Sequence, residues 1–159
     1  MTQEEKDLLI QDLCGRLPYG VKIELTNSWG YHHENIAKKG DITIDTLRGF
    51  SGKYFTINHD NPLDWDWSDS EIEVEDIKPY LFPMSSMTEK QEEELKNIYY
   101  SLVNGVFYYT ERIFDGVPFS KMKYFPYQVE EFFNKNHIDY RGLIPMGLAK
   151  DATGLGIYE

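Results

Sequence analysis

Large apolar residues and carboxylates alternate almost without a break in the stretch LDWDWSDSEIEVEDI, residues 63–77. Successive side chains of a β-strand point to opposite faces of the sheet, so this alternation predicts an extended chain rather than a helix. A turn at 68–70 would make the segment a hairpin, with Trp65 and Trp67 on the face that packs inward. The outward face would carry a row of five acids, which we call the acidic face: Asp64, Asp66, Glu71, Glu73 and Glu75.

The same period of two returns in three other segments, which predicts further strands. These segments are VKIEL, ITI and YFTI, at 21–25, 42–44 and 54–57. Between the first two lies a polar stretch, 27–40, that is typical of a long hairpin loop, and GFSG at 49–52 predicts a tighter turn. With the hairpin, these segments predict an antiparallel sheet of four or five strands.

Three segments have the period of an α-helix, and the sequence predicts helices at about 2–14, 88–103 and 126–136. Thr2 with Glu5, and Thr88 with Gln91, have the spacing of a capping box, in which two side chains reciprocally bond the first free backbone amides. Pro126 suits the first turn of the third helix, where a missing N–H costs nothing. The two capping boxes therefore predict where the first two helices begin.

Glycines and prolines predict where these elements end. Gly15 is typical of a left-handed helix cap and Pro18 cannot continue a helix, so the first helix should stop there. The two prolines within 77–84 favour a short turn leading into an edge strand, because proline cannot donate to a strand ladder. The segment 104–124 has no sustained period and is open between an ordered loop and a hairpin. Residues 137–159 contain too many glycines for a long helix and should wrap the core as turns.

The chain has 159 residues, a length that predicts one domain spanning 1–159. The order helix, strands, helix, helix predicts an α+β fold. Its expected form is a small, bent antiparallel sheet of four or five strands, of SH3-like type, packed with about three helices.

The chain is strongly acidic, with 27 Asp and Glu against 16 Lys and Arg and a formal net charge of -11. This field repels phosphate backbones and attracts basic surfaces, so direct nucleic-acid binding is not expected. One cysteine cannot form an internal disulfide, and the N-terminal MTQEEKDLL carries acids where a secretory signal carries bases. No apolar run approaches the roughly 20 residues that span a bilayer. We therefore expect a cytoplasmic protein that does not enter the membrane, in an oligomeric state that the sequence leaves open.

Three stretches occur together in this sequence: PYGV at 18–21, DIKPYLFPMSSMTEKQEEE at 76–94 and HIDYRGLIPMGLA at 137–149. In this combination the chain resembles a family of small uncharacterised proteins found in phages, prophages and mobile elements of gut bacteria. Members of that family usually have arginine where this chain has Phe82, and most are shorter around 104–124. The family has no established activity, so the resemblance implies a genomic setting and carries over no catalytic residue.

No constellation of residues in the sequence predicts an enzyme. Four residues within 64–75 match ligand positions of a calcium-binding loop, but Asp69 stands where that loop requires glycine. The four histidines lack the spacings of a zinc site. Cys14 lies inside the first predicted helix, where a small apolar role is commoner than a reactive thiolate. We therefore expect no catalytic residue, no metal and no cofactor.

The acidic face has two interpretations. Like charges opposite one another destabilise a sheet by up to about 1 kcal/mol per pair, so a row of acids on adjoining strands indicates a compensating gain. That gain is either protection of an exposed sheet edge against aggregation or a docking face for a partner rich in lysine and arginine. The leading hypothesis is a non-enzymatic binding protein that occupies the basic surface of a host protein. A nucleic-acid-binding defence protein is one candidate for that host protein.

A small-ligand binder, such as a protein that sequesters nucleotides, is the second hypothesis. Its pocket would combine aromatic rings with basic residues for phosphate: Lys78, Tyr108, Tyr127, Tyr140 and Arg141. Arg141 also has a structural interpretation, in which it ties the C-terminal segment to an acid of the sheet. The sequence leaves both interpretations open.

Overall fold

The computed structural model describes residues 1–25, 44–52, 54–58, 70–102 and 127–159. Some of the residues singled out above lie outside this part of the chain: Asp64, Asp66, Trp65, Trp67, Tyr108, the stretch 27–40 and the segment 104–124. The expectations about them, including the first strand of the acidic hairpin, stay predictions.

Seven strands form a mixed sheet in the described part of the chain. They are β1 Lys22–Leu25, β2 Ile44–Phe50, β3 Tyr54–Asn58, β4 Ser70–Glu73, β5 Ile77–Pro83, β6 Ile138–Asp139 and β7 Lys150–Asp151. The order across the sheet is β4-β3-β2-β1-β5-β6, and β7 also pairs with β5. Together with the three α-helices of the described ranges, this architecture confirms the predicted α+β class.

The five longer strands pair in antiparallel fashion, but β6 and β7 run parallel to β5. The sheet is therefore mixed, whereas the sequence predicted a wholly antiparallel one. The strand order β4-β3-β2-β1-β5, with a 3-10 turn at Val74–Asp76 before β5, is consistent with the SH3-like arrangement predicted above. The register of β2 against β3 shifts between Leu47 and Gly49, and such a bulge bends a strand and increases its twist.

The prediction that 77–84 leads into an edge strand is wrong. β5 lies inside the sheet, with β1 on one side and the short strands β6 and β7 on the other. The pairings on the second side begin at Tyr80, so Pro79 has a strand neighbour only in β1, at Ile23. A proline is tolerated in this position because its missing N–H is not needed on the side without a neighbour.

The helices are α1 Gln3–Arg16, α2 Glu89–Leu102 and α3 Tyr127–Lys135. Both capping boxes are confirmed. The amide of Glu5 donates to Thr2 Oγ1 over 3.2 Å while Thr2 N donates to Glu5 Oε2 over 2.7 Å. The pair of Thr88 and Gln91 repeats this exchange, over 3.3 and 2.9 Å, at the start of α2. Each box satisfies two amides that a helix start would otherwise leave unpaired.

The predicted end of the first helix is wrong in detail, because Gly15 lies inside α1. A Cβ atom on Gly15 would stand 2.7 Å from Nδ2 of Asn134 in α3, so glycine is needed there for the close approach of two helices. The left-handed cap is Gly20, with φ of 66°, which follows a 3-10 turn at Leu17–Tyr19. Pro18 is accommodated near the start of that turn.

Two groups of buried side chains form the described core. The first lies between α1, the sheet and the turn at 143–149, and includes Leu9, Leu13, Ile23, Phe55 and Leu81. The second joins α2, α3 and β6 through residues that include Leu95, Val129, Phe132, Phe133 and Tyr140. Each fully buried side chain of this size contributes about 1.5–3 kcal/mol relative to exposure, so together they hold the helices on the sheet.

Candidate functional site

The second strand of the predicted acidic hairpin is present as β4, which carries Glu71 and Glu73. β4 pairs with β3, and the residues opposite the two acids are Thr56 and Tyr54. In this pairing the acids therefore do not face other acids across the sheet. The other side of β4, where the first strand of the hairpin was predicted, lies outside the described residues, so the predicted repulsion between acids of the hairpin stays a prediction.

The extended backbone ends at Glu73, two residues earlier than predicted. Glu75 belongs to the 3-10 turn Val74–Asp76 and not to the strand, which corrects one member of the acidic face. The alternation of burial nevertheless continues, because Val74 is buried while Glu73 and Glu75 are exposed. Glu75 forms an ion pair with Lys6 of α1.

The contact between Lys6 and Glu75 brings the N-terminal turns of α1 beside the described part of the acidic face. Glu4, Glu5 and Asp7 lie within one turn of Lys6 along the helix. These acids were not assigned to a site from the sequence, although their position in the first turns of a helix is favourable for the helix dipole. The acidic surface thus spans two elements that are far apart in the sequence.

The second predicted site, for a small ligand, is not assembled by the structure in the described part of the chain. Tyr140 is only 2% exposed and stacks on Phe133 with ring centroids 5.0 Å apart, so it is a core residue. Tyr127 is 70% exposed at the start of α3. Lys78 lies in β5 opposite Glu24 of β1.

Arg141 has the structural role that was the alternative to phosphate binding, but its partners lie in helices and not in the sheet. Its Nη2 is 3.3 Å from Oε1 of Glu130 in α3, and its Nε is 3.5 Å from Oδ1 of Asp12 in α1. The guanidinium carbon also lies 4.8 Å from the ring centroid of Tyr140. Arg141 therefore ties the segment after β6 to both helices.

A second arginine, Arg16 at the end of α1, is completely buried, and the sequence analysis did not identify it. Its Nε and Nη2 donate to the two carboxylate oxygens of Asp12 over 2.7 and 2.9 Å. Nη2 and Nη1 also donate to the backbone carbonyls of Ile138 and Phe133, over 2.8 and 3.3 Å. This guanidinium joins α1, α3 and β6, so the charged cluster is a structural joint.

A polar cleft of about 700 Å³ opens at the end of the sheet where β5, α3 and the C-terminal residues meet. Its lining includes Tyr19, Phe82, Lys135, His137, Tyr158 and the loop 154–157. None of the four predicted pocket residues that the structure describes lines this cleft. Sequence reasoning could not find it, because its walls come from segments separated by up to about 140 positions.

Tyr158 fixes one wall of the cleft by bridging two strands. The described ladder between β1 and β5 reaches the pair of Ile23 with Pro79, so Lys22 would stand opposite Tyr80 at the next step. The Tyr158 hydroxyl accepts a hydrogen bond from the Lys22 amide over 3.1 Å and donates to the Tyr80 carbonyl over 2.6 Å. A side chain from the end of the sequence therefore bridges the two strands at this step.

His137 lies against Tyr158, with ring centroids 4.0 Å apart, and is 7% exposed. Burial, and next the nearby charge of Arg16, lower the pKa of His137 to about 4, while a hydrogen bond to the backbone of Tyr19 opposes them. Nδ1 has no hydrogen-bond partner among the described residues. With this pKa the ring is uncharged at neutral pH.

The remaining candidates are the single cysteine, a metal site and a membrane-spanning helix. Burial raises the pKa of the Cys14 thiol, which disfavours the reactive thiolate. No group of three or more metal-binding side chains comes together among the described residues. No helix within the described ranges is long and apolar enough to cross a membrane.

Comparison of the chain with protein-family models, with curated proteins and with solved structures gives no match.

Proposed function

We propose that the protein is a non-enzymatic binding protein of phage or mobile-element origin that occupies the basic surface of a host protein. The contact would be made by the acidic face together with the neighbouring acids of α1. A host defence component that binds nucleic acid fits this proposal, because such proteins present a lysine- and arginine-rich surface, and an acidic partner imitates the negative charge of the nucleic acid that this surface binds. The protein would act in the cytoplasm, where such a partner is found.

The observation that supports this proposal is the placement of Glu73 and Glu75. Both are exposed, and each is adjacent in sequence to a buried residue, Ile72 or Val74, that belongs to the first core group. The core therefore holds the backbone from which the two carboxylates project. Rigid presentation lowers the entropy that a docking surface loses when it binds.

The charge of the surroundings also supports the proposal. Lys6 forms an ion pair with Glu75, and three acids of α1 lie within one helical turn of this lysine: Glu4, Glu5 and Asp7. These acids outnumber the basic residues of the same helix turn, so the surface beside the ion pair is negative. Such a patch accelerates association with a basic partner and makes binding weaken as salt is added.

A pair of charge reversals tests the proposal against a matched control. The test variant carries Glu73→Lys and Glu75→Lys, and the control carries Glu93→Lys and Glu94→Lys in the exposed first half of α2. Both variants undergo the same change in net charge. Each tagged protein is used to capture partners from a lysate of a gut bacterium, at about 0.05 and about 0.5 M salt.

We expect the unmodified protein and the control to retain the same host protein at low salt and to release it at high salt. The test variant should lose that protein while its circular dichroism stays unchanged. Equal capture by both variants would refute the docking role of the acidic face. Aggregation of the test variant with unchanged capture would instead support edge protection, since β4 is the outermost strand of the described sheet.

A further inference from the structure

The cleft between β5, α3 and the C-terminal residues has the size of a small-molecule site. Its volume of about 700 Å³ lies within the roughly 300–1,000 Å³ that ligand pockets occupy. The acidic surface takes no part in it, and the charged residues of its lining are one lysine and one glutamate, Lys135 and Glu159. The strong negative charge of the chain is therefore not concentrated in the cleft.

One side of the cleft has the features of an anion site. The loop 154–157 contains two glycines in the left-handed conformation, Gly154 with φ of 75° and Gly156 with φ of 63°. Among the described residues, the backbone N–H groups of Gly154, Gly156 and Ile157 have no hydrogen-bond partner. Turns with alternating left-handed residues form concavities in which free N–H groups bind anions. Lys135 lines the same cleft and has no acidic partner among the described residues.

Part of the lining of the cleft is aromatic. Tyr19, Phe82 and Tyr158 are each partly exposed there, so part of each side chain remains open to the solvent. His137 also lines the cleft, and its ring stacks on that of Tyr158. A flat ring of a ligand would pack on the exposed parts of these aromatic side chains.

We propose that this cleft is a binding site for a small anion of the nucleotide class, which combines a planar base with a phosphate group. The phosphate group would be held by the free amides of the loop 154–157 and by Lys135. The base would lie against Tyr19 and Phe82. This site uses a different set of residues from the pocket predicted from the sequence, and it does not depend on the acidic face.

The charges of the cleft give variants with opposite expected effects. Lys135→Met removes the cation and should weaken binding about tenfold, as expected for a charge-assisted hydrogen bond to phosphate. Glu159 lies close to the loop, with Oε2 3.6 Å from the position that a Cβ on Gly156 would take. Glu159→Gln removes this negative charge and should strengthen binding severalfold. Lys90→Met, at an exposed position of α2 outside the cleft, is the matched control and should change nothing.

Isothermal titration of the full chain with AMP, adenosine and ribose 5-phosphate separates the parts of the proposed ligand. We expect AMP to bind more tightly than either fragment, with shifted NMR amide signals at 154–158. The same titration of the acidic-face variant Glu73→Lys/Glu75→Lys should be unchanged, which separates this proposal from the previous one. No binding of AMP, GMP, CMP or UMP at about 1 mM, equal binding of AMP by Lys135→Met, or shifts confined to other residues would each overturn the assignment.

Discussion

The buried arginine of α1 allows a quantitative prediction. Arg16 and Asp12 are at most 1% exposed, and their two hydrogen bonds have the geometry of a bidentate pair. Breaking a buried pair by removing one partner typically costs about 3–5 kcal/mol, because the other charge stays buried without compensation. For Arg16→Met we expect the lower end, about 3 kcal/mol, since Arg141 lies 3.5 Å from the same carboxylate and continues to neutralise it.

Asp12→Leu should be worse than Arg16→Met, because two guanidinium groups then lose a shared carboxylate. We expect a loss near the upper end, about 5 kcal/mol. With a urea m-value of about 2 kcal/mol per molar, the unfolding midpoints would fall by about 1.5 and about 2.5 M. The double variant Asp12→Leu/Arg16→Met should be no less stable than Asp12→Leu alone, because only Arg141 loses a charge partner and it keeps Glu130.

Urea unfolding followed by circular dichroism measures these differences. Lys90→Met, at an exposed position of α2, serves as the control and should stay within about 0.5 kcal/mol of the unmodified protein. An effect of Arg16→Met below about 1 kcal/mol, or strict additivity of the two single losses in the double variant, would refute the reasoning that the pair is a coupled joint.

Two further predictions concern the wall of the cleft. Tyr158→Phe removes the hydroxyl that bridges Lys22 and Tyr80. We expect the free energy of unfolding to fall by about 1–3 kcal/mol and hydrogen exchange at the Lys22 amide to become faster. Unchanged stability and exchange would contradict the bridge. The second prediction follows from the pKa of His137, which is about 4 in the folded protein and near its ordinary 6.5 in the unfolded chain. Between these values only the unfolded chain takes up the proton, so the free energy of unfolding should fall by up to about 3 kcal/mol as the pH falls from about 6.5 to about 4, and this loss should be complete below that range. Urea midpoints at several pH values measure it, and His137→Asn should remove this component. Burial raises the pKa of Asp139, so its effect on the free energy of unfolding has the opposite sign, but this effect is the same with and without His137→Asn. If the unmodified protein and His137→Asn showed the same dependence of stability on pH, the prediction would be contradicted.

The elements with strong local signals could be predicted from the sequence. The capping box at Thr88 predicted the start of α2, and the alternation around Ile72 predicted that Ile72 and Val74 are buried, because both signals depend on near neighbours in the chain. The end of α1 was wrong because the role of Gly15 is decided by Asn134 of α3. The parallel strands β6 and β7 have two residues each, which is too short for a period to show.

The candidate sites divide in the same way. Leu9, Asp12, Leu13 and Arg16 follow the i, i+3, i+4, i+7 spacing of a single helix face, so the buried ion pair had a sequence signal, although it was missed. The free amides of the loop 154–157 and the position of His137 beside Tyr158 have no such signal, because they arise only when distant segments meet. The charge pattern of a single helix or strand could therefore be recognised in the sequence, whereas a cleft built from several distant segments could not.

The bridge made by Tyr158 bears on the order in which the molecule is completed during translation. β1 and β5 are synthesised early, but the hydroxyl that joins Lys22 to Tyr80 belongs to a residue 136 positions after Lys22. Until Tyr158 leaves the ribosome, the two hydrogen bonds that its hydroxyl makes to Lys22 and Tyr80 cannot form. The connection between β1 and β5 beside Pro79 is therefore completed only after Tyr158 has been synthesised.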